Sequence, residues 1–352
     1  MQHTMALIGF GGMANWHCDS VRDRVPDLLV KGAYDVREEA RNRAVEKGLV
    51  AYQSLEELLA DKEVELVVVA TPNNFHKELS IRSLRAGKHV VCEKPVTMNA
   101  EELEEVIAVS GETGRIFTVH QNRRWDRDYR IVRRVLEEET IGKPYFIESR
   151  VQGSRGSMHG WRGHKVNGGG MTYDWGVHLI DQLLDLIPAP VTAVDAHLVR
   201  LFSGEVDDNV KIFLHFENGV TGICEFSTNC FINHPRWHVS CDNGTLVIDN
   251  WDCDGRMVQL AGSGEMEWGD DIVYTAAGPT RTMAPRPKET TREIPLPEMQ
   301  CDSVLAFYPN LIRTMEGTDS LYVRPEQALR VMKVIDLIFE TQEQGHGLSC
   351  HI

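Results

Sequence analysis

The sequence predicts an α/β half followed by an α+β half. The first is a parallel sheet covered by helices on both faces; the second is built on an open, mostly antiparallel sheet. Three observations carry this. Near-continuous apolar runs alternate with amphipathic stretches over the first 120 residues, the pattern of strands buried on both faces. After about residue 145 long strand-like runs follow one another, two of them interrupted by Asn-Gly, a strong short-range hairpin signal. At 352 residues the chain is long enough for two hydrophobic cores.

The elements follow in order. The early strands are MALIGF (5–10), LVKGAYD (29–35), ELVVVAT (65–71), HVVCEKP (89–95) and RIFTVHQ (115–121). Helical patterns fill the gaps, clearest in DVREEARNRAVEKG, SLEELLADK, FHKELSIRSLRAGK and NAEELEEVIAVSGETG. The later strands are YFIESRVQG, TAVDAHLVRL, NVKIFLHFENGVTGICEFST and WHVSCDNGTLVIDN, with turns at Asn218-Gly219 and Asn243-Gly244. Residues 262–300, rich in Gly, Pro, Thr and charge, read as a long irregular excursion. Two helices close the chain, SVLAFYPNLIRTMEG and PEQALRVMKVIDLIFETQEQG, the second opened by Pro325 and stopped by Gly345. The expected division is residues 1–122 for the first domain and 123–352 for the second.

Composition narrows the partners. The net charge of −15, with no basic block, argues against nucleic acid or an anionic membrane. No run of about 18 apolar residues marks a membrane span, and the N-terminus reads as a first strand rather than a signal peptide. The eight cysteines form no C-x-x-C pair. Scattered thiols in a reducing cytoplasm are therefore expected.

The first strand runs into Gly9-Phe10-Gly11-Gly12-Met13-Ala14, a G-x-G-x-x-A pattern opening a helix. The glycines permit the tight turn and the close approach of a pyrophosphate, and the small third residue lets helix and strand pack. A second strand ends at Asp35, 21 residues past Ala14, where a carboxylate can hold ribose hydroxyls. These features predict a Rossmann dinucleotide-binding fold with NAD as cofactor. Asp35 repels a 2′-phosphate and makes NADP the less favoured cofactor, although Arg37 stands two residues on and suits that phosphate.

Ligands in such folds lie beyond the C-terminal strand ends, which here are Ala70-Thr71-Pro72-Asn73-Asn74-Phe75-His76 and Cys92-Glu93-Lys94-Pro95. A lysine there is an electrophilic group or proton donor, or else an ordinary surface lysine. Glu93 beside it suits a salt bridge. The Lys94-Pro95 bond is a candidate for the cis form.

The stretch GGGMTYDWGVHLIDQLLDLI (168–187) spaces Asp174, His178, Asp181 and Asp185 by four, three and four, on one face of a helix. On periodicity alone that face is a solvated stripe, and Asp185 is ordinary surface. The glycine triplet reads as a flexible helix entry or as a close approach to substrate.

Taken together, GFGGMA, ATPNNFHKELSIRSLRAGKHVVCEKP and GGGMTYDWGVHLID resemble the Gfo/Idh/MocA oxidoreductases, over nearly the whole chain. The resemblance implies reversible hydride transfer between NAD and a secondary hydroxyl of a sugar, inositol or related polyol, by a homodimer or homotetramer. It implies that Lys94, Asp174 and His178 form the catalytic set. Gly9, Phe10, Gly11, Gly12, Met13, Asp35, Arg37, Thr71, Pro72, Asn73, His76, Glu93, Lys94 and Gln121 would hold the cofactor. Arg124, Trp161 and Arg162 would join the catalytic set on the substrate. On this reading His178 is the base, Asp174 orients its ring, and Lys94 stabilises the developing alkoxide, with Lys94 and His178 interchangeable in part of the proton role. Metal-free chemistry is expected. The rival classes are an NAD-retaining glycosidase of the same fold and a non-catalytic dinucleotide or sugar sensor.

Overall fold

The computed structural model describes residues 2–262, 272–280 and 288–352. Its first sheet is parallel and six-stranded: β1 (His3–Ile8), β2 (Leu28–Tyr34), β3 (Val50–Ala51), β4 (Leu66–Val69), β5 (His89–Cys92) and β6 (Phe117–Val119). The spatial order is 3-2-1-4-5-6. Every residue of β4 is buried, as a central strand between two helical layers must be. Those layers are α1 (Gly12–Arg24), α2 (Glu38–Glu46), α3 (Leu55–Ala60), α4 (His76–Arg85) and α5 (Ala100–Thr113). Ser54 and Asn99 cap α3 and α5 by accepting hydrogen bonds from Glu57 and Glu102 amides. The strands end sooner than expected. Thr71-Pro72-Asn73 and Glu93-Lys94-Pro95 therefore lie in the loops beyond β4 and β5, with the Lys94–Pro95 bond cis. The two-residue β3 was not foreseen, being too short to show a period.

After α6 (Arg127–Glu137) comes a mixed nine-stranded sheet. Its first seven strands are β7 (Pro144–Gln152), β8 (Val191–Val199), β9 (Asn209–Phe216), β10 (Thr221–Ser227), β11 (Trp237–Cys241), β12 (Gly244–Ile248) and β13 (Gly255–Leu260), and two edge strands from later in the chain complete it. All its pairs are antiparallel except β7 with β10. Both Asn-Gly sites turn hairpins, β9–β10 and β11–β12. In β9, Val210, Ile212, Leu214 and Phe216 are buried while Lys211, Phe213 and His215 are exposed, so one face carries the core and the other is open. The 262–300 excursion contains a small hairpin, β14 (Val273–Thr275) with β15 (Gly278–Thr280), and returns as β16 (Thr291–Ile294) to pair with β13. The rest of that expectation, 263–271 and 281–287, lies outside the described residues.

The buried face packs on α7 (Val177–Leu186), which follows a π-helical turn over Thr172–Gly176. That wider turn departs from the regular α-helix expected to carry Asp174, His178, Asp181 and Asp185 on one face. Two helices close the chain, α8 (Ser303–Met315) and α9 (Pro325–Gln344), before a last edge strand β17 (Leu348–Ser349). Pro325 opens α9 and Gly345 ends it at φ +75°. Both helices reach back to the first domain: α8 packs on α1 and α9 on α5 and β6. Thr118 of β6 also donates to the Val323 carbonyl at 2.7 Å.

Candidate active site

A cleft of about 960 Å³ runs along the C-terminal ends of the parallel strands. Tyr34, Asp35, Val36, Arg37 and Glu56 line one end; Lys94, Trp161, Arg162, Gly168 and Asp174 line the other. Gly9 sits at φ +86°, where a Cβ would come within 2.5 Å of the Ala70 carbonyl oxygen. Its glycine lets β1 turn hard against β4. Gly11 and Gly12 face open space, so this floor accepts a pyrophosphate against bare backbone. The Phe10 amide donates to Asp35 at 2.8 Å, but the Phe10 ring is fully buried and off the cleft lining.

Asp35 is 6% exposed. The Arg37 amide and guanidinium occupy its oxygens at 2.9–3.2 Å. Burial alone would raise its carboxyl; the bonds from Arg37 and the Phe10 amide overcome that and hold it below the ordinary value. A dinucleotide with a free ribose 2′-hydroxyl fits a charged carboxylate reached by moving one exposed arginine.

At the opposite end Lys94 Nζ donates to the Asp174 carbonyl at 2.8 Å and its carboxylate at 3.1 Å. Arg162 Nε, stacked on Trp161, donates to the same carboxylate oxygen at 3.2 Å. Burial pushes the Asp174 carboxyl up, but Lys94 and Arg162 outweigh it and keep the group below its usual range. Asp174 thus holds Lys94, not His178, which corrects the expected Asp–His pairing. The π turn places the two side chains in different surroundings. His178 is 4% exposed, and burial, with the charges of Lys94 and Arg123, pushes its pKa well below the ordinary value. Its Nδ1 is buried with no hydrogen-bond partner among the described residues.

The glycine triplet owes its composition to neighbouring chain. A Cβ on Gly169 would strike the Arg162 carbonyl oxygen, and one on Gly170 would strike the Asp207 carboxylate. Asn73 Nδ2 donates to the Gly168 carbonyl at 2.7 Å, tying the loop after β4 to this segment across the cleft.

Several expected contacts lie elsewhere. Arg124 is 2% exposed and clasps Asp181 of α7 through Nε and Nη2 at 2.7 and 2.6 Å. It faces the packing between α7 and α9 and not the cleft. Asp181 and Asp185 are no solvated stripe: Asp185 accepts from Tyr129 and from Arg133 of α6. His76 is buried with its ring nitrogens 2.8 and 2.9 Å from the Pro95 and Thr71 carbonyls, so it braces the two cofactor loops from behind. Gln121 is likewise buried, outside the cleft lining.

Glu93 anchors a cluster that the sequence did not announce. Its Oε1 lies 2.7 Å from His17 Nε2 and 2.8 Å from His120 Nδ1, and the Tyr308 hydroxyl is 2.6 Å from His17 Nδ1. Burial would raise Glu93, but the two histidines hold it well below the carboxylate range. The cluster has metal-ligand residue types; hydrogen bonds join Glu93 to His17 Nε2 and His120 Nδ1, while His120 Nε2 is buried with no partner among the described residues. Its members come from α1, β6's exit, the β5 loop and α8. Chain separation hid them, and only the placement of His17 inside a buried helix face hinted at the first.

The strand order 3-2-1-4-5-6, the glycine turn after β1 and the half-buried lysine across the cleft define a dinucleotide-dependent oxidoreductase. Family models place it more narrowly. Residues 3–121 match the oxidoreductase family with an NAD-binding Rossmann fold, and residues 129–247 match the Gfo/Idh/MocA C-terminal domain. The chain belongs to the Gfo/Idh/MocA family, and NAD is its cofactor. An NAD-binding protein from Listeria innocua is similar in structure, with a TM-score of 0.94 at 40% identity over 99% of both chains. An uncharacterized oxidoreductase of Schizosaccharomyces pombe is 37% identical over 182 residues, about half the length of either chain. The scyllo-inositol 2-dehydrogenase (NADP(+)) of Bacillus subtilis is 25% identical, over 97% of this chain and 94% of its own. Among the described residues no helix is long and apolar enough to cross a membrane.

Proposed function

We propose that the protein oxidises a secondary hydroxyl of a sugar, inositol or related polyol with NAD, reversibly, using Lys94, Asp174 and His178. The observation that carries this is the Lys94–Asp174 pair, at the end of the cleft remote from Asp35. Bound NAD supplies the hydride acceptor at its nicotinamide. Gly11, Gly12 and Met13 bind the pyrophosphate, Asp35 and Arg37 the ribose, and Thr71, Pro72 and Asn73 the stretch between; Asp35 favours NAD over NADP. Lys94, as the neutral amine, takes the hydroxyl proton when the alcohol is oxidised, and Asp174 holds the ammonium that forms, which returns the proton in the reverse direction. His178 acts differently from a base. With no acceptor at Nδ1, the neutral ring keeps its proton on Nε2 and offers substrate a hydrogen-bond donor. Trp161 and Arg162 close over the substrate.

The exposed Phe146 and Phe213 on the open sheet face support a homodimer or homotetramer built through that face. Eight free cysteines support a cytoplasmic setting.

The test is NAD with a panel of inositols, aldoses and sugar acids, followed by nicotinamide absorbance. Stereospecific reduction of NAD is the expected result. A bound cofactor with no net reduction across the panel, and release of a glycoside leaving group instead, would overturn it.

A further inference from the structure

We infer a second ligand site, for a small dianion of the phosphate class, in the concavity where α6, α8 and α9 meet. The cavity is about 650 Å³ and shares no lining residue with the nucleotide cleft. Arg130 and Arg133 of α6, Arg313 of α8 and Arg324 at the start of α9 line it, against two aspartates, Asp185 and Asp319. Each aspartate is already taken: Arg133 holds Asp185 at 3.0 Å and Arg313 holds Asp319 at 2.9 Å. Among the described residues Arg130 and Arg324 have no carboxylate partner.

The arrangement of Arg130 and Arg133 is the most telling feature. Their Nη1 atoms converge on one neutral oxygen, the Tyr322 hydroxyl, at 3.4 and 2.7 Å. Arg133 already carries two carboxylates, Asp185 at 3.0 Å and Glu137 at 2.6 Å, whereas Arg130 among the described residues meets only this neutral oxygen, which does not neutralise it. A dianion beside Arg130 would. Planar guanidinium forks match phosphate oxygens, and they do so through paired hydrogen bonds that a point charge cannot make. The positive charge of Arg130 and Arg324, the two lining arginines without a carboxylate partner among the described residues, matches in size that of a phosphate monoester dianion. It also stands out on a chain of net charge −15, which otherwise repels anions. The phosphate is carried either by a metabolite or by the free ion.

The experiment is calorimetric titration of the protein saturated with NADH, so that the dinucleotide cleft is filled, at low ionic strength. Inorganic phosphate and glucose 6-phosphate are the probes, with glucose and chloride as controls. The expected result is saturable binding of one equivalent of at least one phosphate probe. Arg130→Gln and Arg324→Gln should each weaken it about tenfold or more, the scale of one charge-assisted hydrogen bond. Unchanged NADH affinity in both variants verifies that they fold. Tighter binding of the monoester assigns the site to a metabolite, and equal binding assigns it to the free ion. No saturable binding of either probe, or binding unchanged in both variants, would overturn the proposal.

Discussion

The buried Nδ1 of His178 separates two roles that the residue type alone does not. If Nε2–H is a donor, His178→Gln keeps an N–H near the substrate oxygen. We predict that it retains activity within about tenfold, whereas His178→Ala loses about 10²-fold or more. Equal losses in the two variants, with NADH binding intact, would restore the base. Lys94→Ala should lower kcat by about 10²–10⁴-fold with little change in cofactor affinity, read by single-turnover kinetics and NADH titration. A variant with near-normal kcat would remove Lys94 from the proton step. At Gly170, φ is +106° and the Asp207 carboxylate fills the space a side chain would need. Gly170→Ala should therefore cost about 1–3 kcal/mol, measured by urea unfolding; an unchanged midpoint would show that the loop yields.

One pair of charges ties the second domain's central helix to the chain around it. Arg124 follows the first domain's last strand, and its fork closes on Asp181 of α7 while Nη1 reaches Gln327 of α9 at 3.1 Å. Removing one partner leaves the other charge buried without compensation. Arg124→Ala should destabilise by about 3–5 kcal/mol through this junction. Its KM for substrate should move little, because the side chain lies outside the cleft. Denaturant unfolding and initial rates measure the two parts; a stable variant with a large rise in KM would return Arg124 to the substrate.

Over the whole molecule, burial drives the titration of several histidines the same way. His17, His76 and His178 are held below their ordinary value chiefly by burial, and His89 falls to about 4. The unfolded chain takes up these protons near pH 6.5, while the native protein does not until lower pH. Unfolding therefore binds protons, and the stability present above pH 6.5 is lost progressively as pH falls toward the native values. The unfolding temperature should drop between pH 7.5 and pH 5.5 by calorimetry. A flat or rising midpoint over that range would mean the native histidines protonate freely.

The sequence by itself determined the layered order of strands and helices, both Asn-Gly hairpins, the glycine turn and the lysine beyond β5. These are local: each rests on a period, a turn residue or a strand end that neighbouring residues specify. It also brought Lys94, Asp174, Trp161 and Arg162 to notice as one group, through a resemblance in motifs and not through any spacing. Tertiary structure alone decided the pairings. The Asp174–His178 spacing promised a hydrogen bond along one helix, but the π turn and the approach of Lys94 from the other domain gave Asp174 a different partner. The polar stripe looked solvated because its burial depends on α6 and α9, which periodicity within one helix cannot see. Glu93, His17, His120 and Tyr308 meet from positions up to 291 residues apart. A buried carboxylate gathers whatever donors the packing delivers, and that is settled only when all the helices are in place.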